Sequence, residues 1–97
     1  MVTEERVSRG DIFLVALNPT RGSEIRKARP CVIVAPLTTG GHPYPFRVRS
    51  KLDGKDGYVV ADQLRAVDKE RLVRRLGSLS ETTLTELLGV LQAMFAV

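Results

Sequence analysis

PCVIVAPLTT, residues 30–39, is the stretch on which the reading of this chain turns. Its first eight residues are β-branched and almost continuously apolar, the pattern of a strand buried on both faces. Pro30 and Pro36 have no amide hydrogen to give a ladder, so the paired part of the strand is confined to the middle. Cys31, the only cysteine, lies in this run and reads as core filling. With one cysteine, neither an intramolecular disulfide nor a cysteine metal cluster is open to the chain.

On the N-terminal side, DIFLVAL (11–17) is an apolar run of strand length that ends at the turn signal Asn18-Pro19. TRGSEIRKAR (20–29) between the two strands is polar and cationic, the composition of an exposed loop. On the C-terminal side, the glycines and prolines of TTGGHPYP (38–45) mark a loop. FRVRS (46–50) alternates apolar with basic, a half-exposed strand with Phe46 and Val48 facing inward. LDGKDG (52–57) carries two Asp-Gly turn elements and leads into a strand region, YVVADQLRAV (58–67), with Asp62 in its middle. DKERLVRRLG (68–77) reads as a short helical turn, capped by Asp68 and stopped by Gly77. Beyond it Ser80 can cap a helix whose Leu84, Leu87, Leu88, Leu91, Met94 and Phe95 recur at three- and four-residue spacing. The expected fold is α+β: a small, strongly twisted, SH3-like β-barrel with a C-terminal amphipathic helix, residues 1–97 forming one domain.

With 43% hydrophobic and 27% charged residues, the 97-residue chain has the balance of a folded domain. No apolar run near the N-terminus is long enough for a signal peptide or a membrane span, so a cytoplasmic protein with no membrane partner is expected. The net charge of +4 is unevenly placed. Residues 1–51 hold nine Lys/Arg against four Asp/Glu, whereas residues 80–97 hold two acids and no base. A polyanion such as RNA, or an acidic protein segment, would approach the N-terminal half.

Metal and nucleophile signatures are absent: there is one histidine, His42, in a loop with no evident partner, and no HExxH, GxSxG or phosphate-binding glycine loop. No metal and no cofactor is expected. What remains is a set of arginines with Ser23, Glu24, Thr38, Thr39 and Asp62. Cutting RNA without a metal requires deprotonation of a ribose 2′-OH, protonation of the leaving 5′-oxygen and charge stabilisation on the phosphorane. Guanidinium groups offer a fork for two phosphate oxygens, and a threonine hydroxyl can donate to a third.

The order of these residues is more specific than their types. RGDIFLVALNPTRGSEIRKARPCVIV, then APLTT, YPF and DQLRAVDKERL, closely resemble the MazF/PemK family of toxin endoribonucleases over nearly the whole chain. The resemblance implies a CcdB/MazF-type barrel, a homodimer and sequence-selective, metal-independent cleavage of single-stranded RNA. It also implies a cognate antitoxin whose acidic tail occupies the RNA groove, with operator DNA reached through the antitoxin complex. It places the catalytic arginine of the "RP" element on Arg29 and the threonine of the "P-x-T" element on Thr38. The acidic loop position falls on Glu24, and the acid of the "DQ" element on Asp62. Ser23, Arg21, Arg26, Lys27, Thr39 and Phe46 then become RNA-binding candidates. Two other readings stand beside cleavage. One is a shortened, inactive homologue that binds an antitoxin tail or nucleic acid; the other is action on a protein such as gyrase, whose branch lacks the "RP" and "P-x-T" elements.

One departure matters. In the family a turn and a further strand separate the "RP" strand from "P-x-T", whereas here CVIV runs directly into APLTT, so that roughly a dozen or more residues are missing between Val34 and Ala35. On two antiparallel strands Arg29 and Thr38 would meet at one sheet end. On a single extended strand, nine steps of about 3.3 Å set them roughly 30 Å apart. The origin is a shortened homologue, an engineered deletion or a segment left out of the numbered chain. The last is the expectation, because loss of an interior strand exposes edges and underfills the core.

Overall fold

The computed structural model describes residues 6–17 and 30–96. Strand β1 (Asp11–Val15) pairs antiparallel with β7 (Leu72–Ser78), with register shifts after Ile12 and Leu14. Asp11 fixes the start of this ribbon, as one carboxylate oxygen accepts from Arg75 Nη2 at 2.9 Å and the other from the Ser8 amide at 2.8 Å. At the other end the Arg71 guanidinium donates to the Ala16 carbonyl at 3.1 Å. The segment 68–77 is therefore mostly strand and not a helical turn. Asp68 does cap a single 3₁₀ turn at Lys69–Arg71 by accepting from the Glu70 amide, but β7 follows at once and Gly77 lies inside it.

The expected strand 30–37 is two strands. Cys31–Val34 (β2) pairs with β6 (Arg65–Asp68), while Leu37–Thr39 (β3) pairs with β5 (Lys55–Val60). Pro36 explains the switch, because it cannot continue the ladder as a donor. Its carbonyl instead accepts from the Val60 amide at 2.9 Å. Nor is β2 buried on both faces: Ile33 is 67% exposed, and Cys31 is exposed and so does not fill the core. Val34 closes β2, and Ala35-Pro36 lead directly into β3.

Strand β4 (Arg47–Leu52) joins β5 by a two-residue turn at Asp53-Gly54, both with positive φ (52° and 76°), as a twisted hairpin demands. The second Asp-Gly element, Asp56-Gly57, is not a turn but part of β5. Phe46 does not face inward as a strand residue; it precedes β4 with φ 67° and is 45% exposed. A 3₁₀ turn at Ala61–Gln63 divides β5 from β6.

Helix α1 (Glu81–Phe95) begins as expected, with Ser80 Oγ accepting from the Thr83 amide at 3.1 Å. It packs on β4 and on the 61–63 turn, yet none of its residues is fully buried and Phe95 is 71% exposed. The buried apolar side chains are Val48, Val59, Val60, Ala61, Val67 and Leu72. The class is the expected α+β, antiparallel strands with a C-terminal helix, but the strands form three sheets (β1-β7, β2-β6 and β3-β5-β4) and the barrel is not closed. No helix among the described residues is long and apolar enough to cross a membrane.

Candidate nucleic-acid interface

Arg21, Ser23, Glu24, Arg26, Lys27 and Arg29 lie outside the described residues. Thr38, Thr39, Phe46 and Asp62 lie within them, and Thr38 organises a site. It sits in β3 directly opposite Tyr58 of β5, which in turn lies opposite Arg49 of β4. Directly opposed residues share one face of a sheet, so the hydroxyl, the phenol ring and the guanidinium form a row across three strands, roughly 10 Å from end to end. Arg47, two residues before Arg49, joins the same face. The opposite face carries the buried Val48 and Ser50.

The Thr38 hydroxyl is held by its surroundings. Its oxygen accepts from the Tyr58 amide at 3.2 Å, and its hydrogen is donated to the Gly40 carbonyl at 3.1 Å, with the Tyr58 carbonyl at 3.4 Å as the alternative acceptor. To bind a phosphate it must exchange one neutral hydrogen bond, a contribution of about 1 kcal/mol, for a charge-assisted one.

Two glycines make room beside it. Gly40 and Gly41 have φ of 74° and 105°, and a Cβ on Gly41 would lie 3.6 Å from Thr38 Oγ1, 3.6 Å from Tyr58 Cδ2 and 3.9 Å from Arg47 Nη1. Hydroxyl, ring and guanidinium therefore converge on this turn. Across the β3–β5 ladder, a Cβ on Gly57 would overlap the Thr38 backbone carbonyl, so glycine permits the close pairing that sets Thr38 in place.

The loop before β4 adds an aromatic platform. Tyr44 is 56% exposed, with the Arg47 guanidinium 4.9 Å from its ring centroid and the His42 ring edge-on at 6.0 Å. Exposed aromatic rings beside cations are what single-stranded nucleic acid stacks upon. Sequence reasoning missed Arg47, Arg49, Tyr44 and Tyr58. Their signal was the register that a two-residue turn at 53–54 imposes, which pairs residue 49 with residue 58.

The other candidates stand apart. By strand alternation Thr39 points to the face opposite Thr38. Phe46 is held through its backbone, its carbonyl accepting from the Ala61 amide at 2.9 Å. Asp62 is exposed in the 61–63 turn, paired with neither Arg65 nor Arg49. Among the described residues no three His, Cys, Asp or Glu side chains cluster closely enough to hold a metal ion.

Residues 8–95 match the family model of the PemK-like, MazF-like toxins of type II toxin-antitoxin systems. The chain belongs to this family. Among curated PemK/MazF relatives it is 35% identical over 101 residues to the endoribonuclease MazF of Staphylococcus epidermidis, spanning 82% of this chain and 83% of that protein. It is 36% identical over 110 residues to the endoribonuclease PemK of Escherichia coli, spanning 91% and 81%. The crystal structure of MazF from Deinococcus radiodurans shares the fold, with a TM-score of 0.66 at 23% identity over 93% of this chain and 96% of that one. In the first alignment 82% of 97 residues is about 80, set against 101 aligned positions, and in the second 91% is about 88 against 110. About twenty positions in each therefore have no counterpart here, the length of a strand and its turn with some to spare.

Proposed function

We infer that this PemK/MazF-family toxin is a single-domain endoribonuclease that cleaves single-stranded RNA without a metal, its 2′-OH attack giving a 2′,3′-cyclic phosphate and a 5′-OH. The observation that carries this is the row Thr38, Tyr58 and Arg49 with Arg47 at the Gly41 turn. It offers a phosphate a hydroxyl and two cations on one solvent-facing sheet surface, beside a ring on which a base can stack. Thr38 holds the scissile phosphate, and Arg29 stabilises the phosphorane and assists proton transfer. Glu24 and Ser23 shape the loop that Arg21, Arg26 and Lys27 use to steer RNA. Asp62 and Phe46, both exposed beyond the Thr38 row, meet flanking nucleotides, and Thr39, on the opposite face of β3, drops out of that role. The protein acts in the cytoplasm as a homodimer, and an antitoxin with an acidic tail silences it by covering the same cations, bringing the complex to operator DNA.

The test is cleavage of a long single-stranded RNA in the presence of EDTA, with 5′-end mapping of the fragments. Arg29→Ala and Thr38→Val should each lower the cleavage rate at least a hundredfold at unchanged circular dichroism. Cleavage retained in Arg29→Ala would sink its assignment. A second reading, a homologue that binds RNA without cutting it, is favoured by the open side of the molecule. It predicts that the wild-type chain retains RNA on a filter yet yields no fragments.

A further inference from the structure

The loop between β3 and β4 displays His42 and Tyr44 to solvent: residues 41–46 are all exposed, Tyr44 to 56%. The loop is nonetheless held at both ends. At its start the Gly40 amide donates to the Asp56 carbonyl at 2.7 Å, and at its end the Phe46 carbonyl accepts from the Ala61 amide at 2.9 Å. Between these anchors the Tyr44 amide donates to the His42 carbonyl at 3.0 Å, and the Arg47 amide to the Tyr44 carbonyl at 3.2 Å. Pro43 and Pro45, on either side of Tyr44, narrow the backbone further. An exposed ring fixed through its backbone is pre-organised for a ligand, because binding finds little loop freedom left to remove.

We propose that Tyr44 and His42 form a nucleobase subsite, which reads one nucleotide flanking the scissile phosphate and so sets part of the sequence preference of cleavage. This rests on the endoribonuclease reading above. The two rings stand 6.0 Å apart between centroids and 64° apart in plane, so a base lying flat on Tyr44 turns an edge towards His42. The two contacts differ in what they do. Stacking on a phenol ring tolerates every base, since each has a π-face, and supplies affinity. Identity is read along the edge, where a neutral imidazole offers one donor and one acceptor nitrogen.

Arg47 ties the subsite to the phosphate. Its guanidinium lies 4.9 Å from the Tyr44 ring centroid. The same group reaches the Gly41 turn, where a Cβ would lie 3.9 Å from Arg47 Nη1 and 3.6 Å from Thr38 Oγ1. One guanidinium therefore separates the stacking ring from the hydroxyl proposed to hold the phosphate, a span that a single nucleotide covers from phosphate to base. The subsite thus serves a nucleotide beside the cut and not a distant one. The competing role for the pair is loop packing. Tyr44 over Arg47 would then merely stiffen the turn, and its loss would lower cleavage of every sequence alike.

The test is cleavage of a random-sequence single-stranded RNA pool by the full-length protein and by its Tyr44→Ala and His42→Ala variants, with the 5′ ends of the fragments sequenced. His42→Ala should flatten the base preference at one position adjoining the cut at least fivefold and leave the preference elsewhere unchanged. Tyr44→Ala should slow cleavage about tenfold or more. An abasic ribose at that position should slow the wild type by as much, yet add nothing to the loss in Tyr44→Ala. Base preferences unchanged in both variants would overturn the proposal, and so would an equal loss at every sequence. A wild type that leaves the pool uncut would bring down the endoribonuclease reading itself, and the subsite with it.

Discussion

The two sides of this molecule are built to different standards. On the β3-β5-β4 side, Val48, Val59 and Val60 are 0 to 4% exposed, and the hairpin register runs unbroken through six residue pairs. On the β1 and β2 side, Leu14 is 47% and Ile33 67% exposed, and each strand has a partner on one edge only. The more exposed side is the more apolar in sequence, DIFLV and CVIV against LTT, RVRSKL and KDGYVV. What separates them is sheet size and cover: β5 has a partner on both edges and helix α1 packs on β4, whereas β1 and β2 each belong to a two-stranded ribbon. Closure of a barrel removes edges, and its loss at one seam exposes two at once. The proposed nucleic-acid site lies on the better-buried side.

That comparison is broken most severely at Gly57. Gly57→Ala would drive a methyl group into the Thr38 backbone carbonyl, which cannot swing away as a flexible side chain can. The expected loss is roughly 4 kcal/mol or more, a large part of the stability of a small domain, with RNA binding lost alongside as β3 leaves β5. Urea denaturation followed by circular dichroism measures the first, and filter binding the second. An alanine here that costs under about 1 kcal/mol would show that β3 is not held as described.

Next in size is Leu72→Ala. Leu72 is 1% exposed at the start of β7, opposite Val15 of β1. Removing its side chain should cost about 3 kcal/mol, from lost transfer energy and the cavity left behind. A much smaller loss would mean that the space collapses, and that the contrast between the two sides is less sharp than the exposures indicate.

The parts of this architecture that were legible in the sequence are local ones. The Ser80 cap, the Asp68 cap and strand β1 each follow from a few adjacent residues, and each stands where expected. Strand β7 was not legible, because a capping aspartate and a glycine bracket it, and only its distant partner β1 makes it a strand. The split of residues 30–37 was half legible in Pro36, whose missing donor ends one ladder, but which sheet each half joins is a matter of tertiary pairing. Of the candidate site, the identity of Thr38 was readable from its motif. The convergence of Arg47 and Tyr58 on it was not, since it depends on cross-strand register and on the positive φ of Gly41.

The smallest expected effect is the most discriminating. Ile33→Ala removes a β-branched apolar side chain from the middle of a strand, a change that costs several kcal/mol in a packed core. Here the side chain is two-thirds exposed, so little apolar surface returns to water on unfolding. The urea midpoint should move by no more than about 0.5 kcal/mol equivalent in the isolated protein. A large loss would mean that Ile33 is covered in solution, and the contrast between the two sides would then be smaller than the exposures indicate.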